Sequence, residues 1–137
     1  MNILGYCPTR VLVIEDEVFI RLDVSDELRR AGFEVIEMNT ADDALVFLDG
    51  GEHVDVVFTD VKLPGRLDGI ALAEKTREGR PLMRFVITSG DLDKRGAAIL
   101  LGEFVPKPYA PKDIVTLIAA LVSRSSRSQT ANNESHP

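Results

Sequence analysis

Short runs of branched and other apolar residues alternate with amphipathic segments along most of the chain, and this alternation constrains the fold more than any other feature. The apolar runs have the length of buried strands and occupy residues 10–15, 33–38, 54–59, 84–89 and 103–107. Segments with apolar residues at helical spacing follow them at 18–31, 39–51, 69–79, 93–102 and 111–122. Strands joined by helices form a parallel sheet with helices on both faces. The sequence therefore predicts an α/β, doubly wound domain.

The predicted elements cover residues 9–122, which we expect to form one domain, since 137 residues leave little room for a second. Residues 1–8 are expected to be a flexible N-terminus. The segment 123–137, "SRSSRSQTANNESHP", has almost nothing to bury and is predicted to be a disordered polar tail. We accordingly expect a stand-alone domain without an output module.

Composition excludes several classes of function. No apolar run is long enough to cross a bilayer and no secretory leader is visible, so we predict a cytoplasmic protein that does not bind membranes. A formal net charge of −6 argues against direct nucleic-acid binding. The single cysteine, Cys7, excludes an intramolecular disulfide and a cysteine metal site.

Polar and charged residues stand at the ends of four predicted strands: Glu15, Asp16, Asp60, Thr88 and Lys107. Each has an ordinary explanation, because aspartate caps helices, threonine is common in strands and lysine is common in turns. Ligands of open parallel sheets, however, bind beyond the carboxyl ends of the strands. The joint pattern therefore favours a functional site over four independent coincidences.

The chemistry of these residues suits phosphoryl transfer with magnesium. Clustered carboxylates repel each other unless a cation lies among them, and Mg²⁺ prefers hard oxygen ligands. Asp16 and Asp60 could bind the ion directly and Glu15 through water. Asp60 is then the candidate nucleophile, while Thr88 could hydrogen-bond the transferred group and Lys107 could neutralise its charge.

Four motifs resemble one known family, the receiver domain of two-component response regulators, as in the single-domain chemotaxis regulator. They are "VLVIEDE", "VVFTDVKLPG", "VITSG" and "FVPKP", in the family's order and at family-like spacing over about residues 9–122. The resemblance implies a flavodoxin-like sheet of five parallel strands in the order 2-1-3-4-5, with Mg²⁺ as cofactor.

The resemblance also implies a role for each matching position. Glu15 and Asp16 would be the acidic pair, Asp60 the phosphorylated residue, Thr88 the switch hydroxyl and Lys107 the phosphate-binding lysine.

Two further positions follow from the same resemblance. The backbone carbonyl of Lys62 would complete the protein's share of the magnesium shell, and Phe104 matches the aromatic switch position. The peptide between Lys107 and Pro108 is often cis in the family. The chain departs from the family pattern in its loop "LPGRLDG", which is one residue longer than the commonest form, in the cation at Lys62 and in the missing hydroxyl at Phe104.

As a receiver, the chain would accept phosphate from a sensor histidine kinase or a histidine phosphotransfer protein. It would then bind a downstream protein partner or relay the phosphate, as a monomer or weak dimer, and would catalyse only its own phosphorylation and dephosphorylation. An alternative is a Mg²⁺-dependent aspartyl-phosphate phosphatase of the haloacid dehalogenase type, but that enzyme needs an aspartate two residues after the nucleophile, where this chain has Lys62. A nucleotide- or flavin-binding module is a second alternative, but no glycine fingerprint follows the first strand.

Overall fold

The computed structural model describes residues 7–134, with side chains described as far as Arg124. The strands of this part of the chain are β1 (Arg10–Ile14), β2 (Glu34–Met38), β3 (Val56–Asp60), β4 (Arg84–Ser89) and β5 (Glu103–Pro106). The helices are α1 (Val18–Arg30), α2 (Ala41–Asp49), α3 (Gly69–Gly79), α4 (Arg95–Ile99) and α5 (Pro111–Glu134). All strand pairs are parallel and the sheet order is β2-β1-β3-β4-β5. The predicted fold class and strand order are confirmed.

Two predicted helices have bounds that were wrong. In place of one helix over 93–102, a 3₁₀ turn at Leu92–Lys94 leads into the short α4, whose interior contains the poor helix former Gly96. Helix α5 continues twelve residues beyond Val122 to Glu134, since the polar segment 123–134 contains neither glycine nor proline to end it. Residues 1–6 and 135–137, which belong to the predicted flexible N-terminus and tail, lie outside the described residues. Within residues 7–134, no helix is both long and apolar enough to cross a membrane.

The sheet is buried on both faces, because alternate residues of each central strand point to opposite sides. Leu12, Val57 and Ile87 belong to the apolar cluster on the side of α2, α3 and α4. Val13 and Phe58 belong to the cluster on the side of α1 and α5. Because there is an apolar cluster on each face of the sheet, the strands are continuous apolar runs in the sequence. The parallel strands place their carboxyl ends at one edge of the sheet.

Helix α3 begins directly against the backbone of β3. The amide of Gly69 donates to the carbonyl of Val61 at 2.8 Å, and Asp68 caps the helix by accepting from the amide of Ala71 at 2.7 Å. A Cβ atom at Gly69 would overlap the carbonyl oxygen of Asp60 and would lie 3.1 Å from Thr59 Oγ1. Glycine therefore lets the helix start within contact of the strand end that carries Asp60.

Candidate functional site

Asp60 ends β3 as a buried carboxylate, with 6% of its surface exposed. Its Oδ2 atom accepts a hydrogen bond of 2.8 Å from Lys107 Nζ, and its Oδ1 atom lies 3.4 Å from the amide nitrogen of Lys62. Lys107 Nζ also donates to Glu15 Oε1 at 3.0 Å. One ammonium thus links the ends of β1 and β3, although it follows β5 in the chain.

The two residues after β1 bring a second and a third carboxylate to Asp60. Carboxylate oxygens of Glu15, Asp16 and Asp60 all lie within 4.8 Å of one another. Glu15 is 2% exposed whereas Asp16 faces solvent. Burial raises the pKa of Glu15, the hydrogen bond from Lys107 opposes this rise, and the charge of Asp60 adds to it. Repulsion among the carboxylates and the burial of Glu15 therefore destabilise the folded state, and Lys107 offsets this effect in part.

Lys107 is held in place at the edge of the sheet. Its amide donates to the carbonyl of Ser89 at 2.9 Å, and the peptide to Pro108 is cis, as the resemblance implied. Partial burial disfavours the ammonium, but the hydrogen bonds and charges of Asp60 and Glu15 outweigh this effect and raise the pKa of Lys107. The lysine is consequently a permanent positive charge at any physiological pH.

Thr88 lies beside Asp60 on the neighbouring strand. The two residues are register partners in β3 and β4, and the amide of Val61 donates to the Thr88 carbonyl at 2.9 Å. Thr88 is 1% exposed, and its Oγ1 atom has no hydrogen-bond partner among the residues that the structure describes. A buried hydroxyl without a partner beside a carboxylate is available to donate to an acceptor that reaches the site.

A cavity of about 490 Å³ opens over this edge of the sheet. Asp60, Lys62, Asp68, Lys94 and Lys107 are among the residues that line it. The volume exceeds that of a phosphoryl group, so a donor molecule has room to approach Asp60. Lys62 is among the lining residues, and the role in a magnesium shell that the resemblance implies for its carbonyl stays a prediction.

Phe104 lies apart from this cavity. It is half-buried on β5, opposite Ile87, and packs against the apolar cluster that α2, α3 and α4 cover. Phe104 thus connects β5 with the apolar cluster that lies under α4. Its role as a switch stays a prediction.

Two residues that shape the site, Arg21 and Tyr109, have no local sequence signal that predicts their roles. Arg21 of α1 donates to the carbonyl of Glu15 at 2.8 Å and pairs with Glu37 of β2 at 3.4 Å, which fixes the backbone of the acidic pair. Tyr109 packs edge-on against Phe58, with 5.6 Å between ring centroids. Burial and then the charge of Glu15 raise the pKa of its phenol, which stays neutral. Local patterns do not predict these contacts, because Glu37 and Phe58 are far from their partners in the sequence. The path of the turn between Glu15 and Arg21 cannot be predicted from its residues either.

The donor set fits a hard divalent cation. Three carboxylates converge from the ends of β1 and β3, and carboxylate oxygens are the ligands that Mg²⁺ commonly takes from proteins. Glu15, Asp16 and Asp60 are therefore residues that could hold the ion. The contribution of the Lys62 backbone carbonyl, which the resemblance implies, stays a prediction.

Comparison with known proteins gives one family match that covers most of the chain. The family model described as "Response regulator receiver domain" matches residues 11–119. The probable transcriptional regulator ycf27 of Cyanophora paradoxa is 30% identical over 119 residues, which are 85% of this chain and 49% of that protein. The transcriptional regulatory protein PdtaR of Mycobacterium tuberculosis is 33% identical over 120 residues, which are 85% of this chain and 58% of that protein. The chain thus spans about half the length of these curated relatives.

A solved structure shows the same fold. The CheY-like response regulator receiver domain protein from Methanospirillum hungatei superposes with a TM-score of 0.80 at 25% identity. The match covers 89% of this chain and 99% of that one. The architecture built from the sequence pattern is therefore that of a known group of signalling domains.

Proposed function

Since the chain belongs to the response regulator receiver domain family of two-component systems, we propose that it accepts a phosphoryl group on Asp60 from a sensor histidine kinase or a histidine phosphotransfer protein. The observation that carries the proposal is the buried Asp60 carboxylate, held 2.8 Å from Lys107 Nζ beside Glu15 and Asp16. An aspartate in this setting has both the nucleophilic oxygen and the nearby positive charge that phosphoryl transfer needs.

The transfer is a displacement at phosphorus. A carboxylate oxygen of Asp60 forms the new bond to phosphorus, while the bond from phosphorus to the donor's imidazole nitrogen breaks and that nitrogen keeps the electron pair. Lys107 neutralises charge on the phosphoryl oxygens, and the unpartnered Thr88 Oγ1 can donate to one of them. Mg²⁺, when held by Glu15, Asp16, Asp60 and the Lys62 carbonyl, supplies further positive charge at the same place.

Residues 9–122 form the proposed receiver unit, and the family match over residues 11–119 supports these bounds. The phosphorylated form acts by binding a downstream protein or by passing phosphate on, and the chain catalyses only its own phosphorylation and dephosphorylation. The absence of direct nucleic-acid binding and the stand-alone organisation stay predictions, because the relatives named above are called transcriptional regulators and are about twice as long.

Acetyl phosphate with magnesium is expected to label the purified chain once, with loss of acetate. Intact-mass measurement should show one added phosphoryl group that hydroxylamine removes, since acyl phosphates react with that nucleophile. A phosphatase would instead turn over acetyl phosphate steadily without accumulating label, and a nucleotide-binding module would remain unlabelled. Either of these results would overturn the proposed function.

The structure also suggests how phosphorylation reaches the surface. A phosphoryl group on Asp60 adds about two negative charges and strong acceptor oxygens, which should draw Thr88 Oγ1 toward it. Movement of Thr88 changes the end of β4 next to β5, where Phe104 is only half-buried and can turn inward. We therefore place the responding surface at α4, β5 and α5.

Thr88→Ala is expected to accept phosphate but to respond weakly, because it lacks the hydroxyl that couples the phosphoryl group to β4. Amide NMR shifts with and without beryllofluoride and magnesium measure the response in α4 and β5. Thr76→Ala is a matched control, since Thr76 is also a buried threonine whose Oγ1 has no partner among the described residues, but it lies on α3. Full shifts in α4 and β5 of the Thr88 variant would show that the coupling runs elsewhere.

A further inference from the structure

The loop between β3 and α3, residues 61–68, is held by a carboxylate from another helix. Asp42, in the first turn of α2, accepts a hydrogen bond from the Arg66 amide to Oδ2 at 3.0 Å and one from the Leu67 amide to Oδ1 at 2.9 Å. These two bonds lower the pKa of Asp42. Each carboxylate oxygen thus accepts a hydrogen bond from one of two successive amides, so Asp42 binds the loop as an ionised carboxylate.

Gly65 allows the loop to reach this carboxylate. Its φ angle is +102°, a conformation that residues with a side chain rarely adopt, and a Cβ atom there would lie 2.9 Å from Asp42 Oδ2. Gly65 belongs to the segment "LPGRLDG", which the family resemblance marks as one residue longer than the commonest form. The longer loop therefore passes the first turn of α2, where Asp42 binds its backbone.

The same loop carries parts of the phosphoacceptor site. Lys62, Leu63 and Asp68 line the cavity beside Asp60, and the Lys62 amide lies 3.4 Å from Asp60 Oδ1. The ends of the loop are fixed, because the Val61 amide donates to Thr88 and the Gly69 amide donates to Val61. Between these ends, the hydrogen bonds that tie the described loop backbone to another helix are the two to Asp42.

We propose that Asp42 is a positioning residue for the phosphoacceptor site, which holds the loop 61–68 so that the Lys62 carbonyl and the cavity mouth keep their places beside Asp60. The inference rests on the proposed function, because it concerns the magnesium and phosphate chemistry of that site. Asp42 touches neither Asp60 nor the cavity, and its action passes through the backbone of the loop.

Asp42→Ala is expected to bind Mg²⁺ about tenfold more weakly than wild type, the lower end of the loss caused by removing a group that supports a metal ligand. The titration is followed by the NMR shift of the Lys62 amide. Hydrogen exchange of the Arg66 and Leu67 amides should become faster, and acetyl phosphate labelling should slow by a similar factor. Asp42→Asn keeps one oxygen acceptor and should recover part of the affinity.

Asp43→Ala is the matched control. Asp43 lies in the same turn of α2 and carries the same charge, but it is exposed and its carboxylate accepts no hydrogen bond from the loop in the part of the chain that the structure describes. Equal magnesium affinity in the Asp42 and Asp43 variants would overturn the inference, as would unchanged exchange at Arg66 and Leu67. Failure of wild type to become labelled would instead contradict the proposed function, while magnesium binding and amide exchange would still report on Asp42.

Discussion

Asp60→Asn is expected to abolish labelling by acetyl phosphate while the protein stays folded. The amide keeps the shape of the carboxylate but has no negatively charged oxygen to attack phosphorus. The change also removes one of three carboxylates that lie within 4.8 Å of one another, so the thermal midpoint should not fall. Intact-mass measurement of the label and thermal unfolding test both parts of this prediction.

Asp91→Asn provides the control for Asp60→Asn. Asp91 lines the same cavity, but its side chain caps the 3₁₀ turn by accepting from the amide of Asp93, a role that asparagine can also fill. This variant should be labelled like wild type. Full, hydroxylamine-sensitive labelling of Asp60→Asn, or loss of labelling in both variants, would contradict the assignment of the phosphoacceptor.

Most of the fold could be predicted because the signals that define it are local. The strand β3 reads as a continuous apolar run since Val57 and Phe58 are buried on opposite faces, and such runs occur where helices cover both sides of a parallel sheet. The end of α5 could not be predicted in this way. The polarity of the segment after Val122 predicts disorder, whereas the backbone of a polar segment without glycine or proline can continue a helix.

The candidate site was predictable to the extent that it lies at strand ends. Glu15, Asp60, Thr88 and Lys107 are far apart in the chain, yet parallel strands bring their carboxyl ends to one edge, and the structure places these residues together. The contribution of Asp42 could not be predicted. Its contact with a loop more than twenty residues away depends on how α2 packs beside α3, and no local pattern encodes that packing.

Lys107→Met is expected to destabilise the protein strongly at neutral and alkaline pH. The substitution leaves the buried carboxylates of Glu15 and Asp60 without the cation that they share. Removing one partner of a buried ion pair is costly, and we expect about 2 kcal/mol at pH 8, less than for a fully buried pair because the Lys107 side chain is 24% exposed. Lys75→Met, on the exposed side of α3, removes the same charge and should cost little.

The pH dependence of this loss identifies its cause. Without Lys107, the pKa of Glu15 should rise further, so the folded state holds a proton that the unfolded state has released. Stability should then fall as pH rises from the ordinary carboxyl value of 4.5 through the raised value, because the folded state binds more protons across that window. Below pH 4.5 this contribution should disappear, since Glu15 is protonated in both states.

Glu15→Gln provides the decisive background for Lys107→Met, because it removes the buried charge but keeps a hydrogen-bond acceptor of similar shape. In that background the cost of Lys107→Met at pH 8 should fall by about half, since only the contact with Asp60 remains to be lost. The steep decline with pH should also vanish. Denaturant unfolding of wild type, the two single variants and the double variant at pH 5 and pH 8 measures both effects. An unchanged cost in the Glu15→Gln background would mean that Lys107 stabilises the fold through Asp60 or through packing of its side chain, and that the buried glutamate does not depend on it.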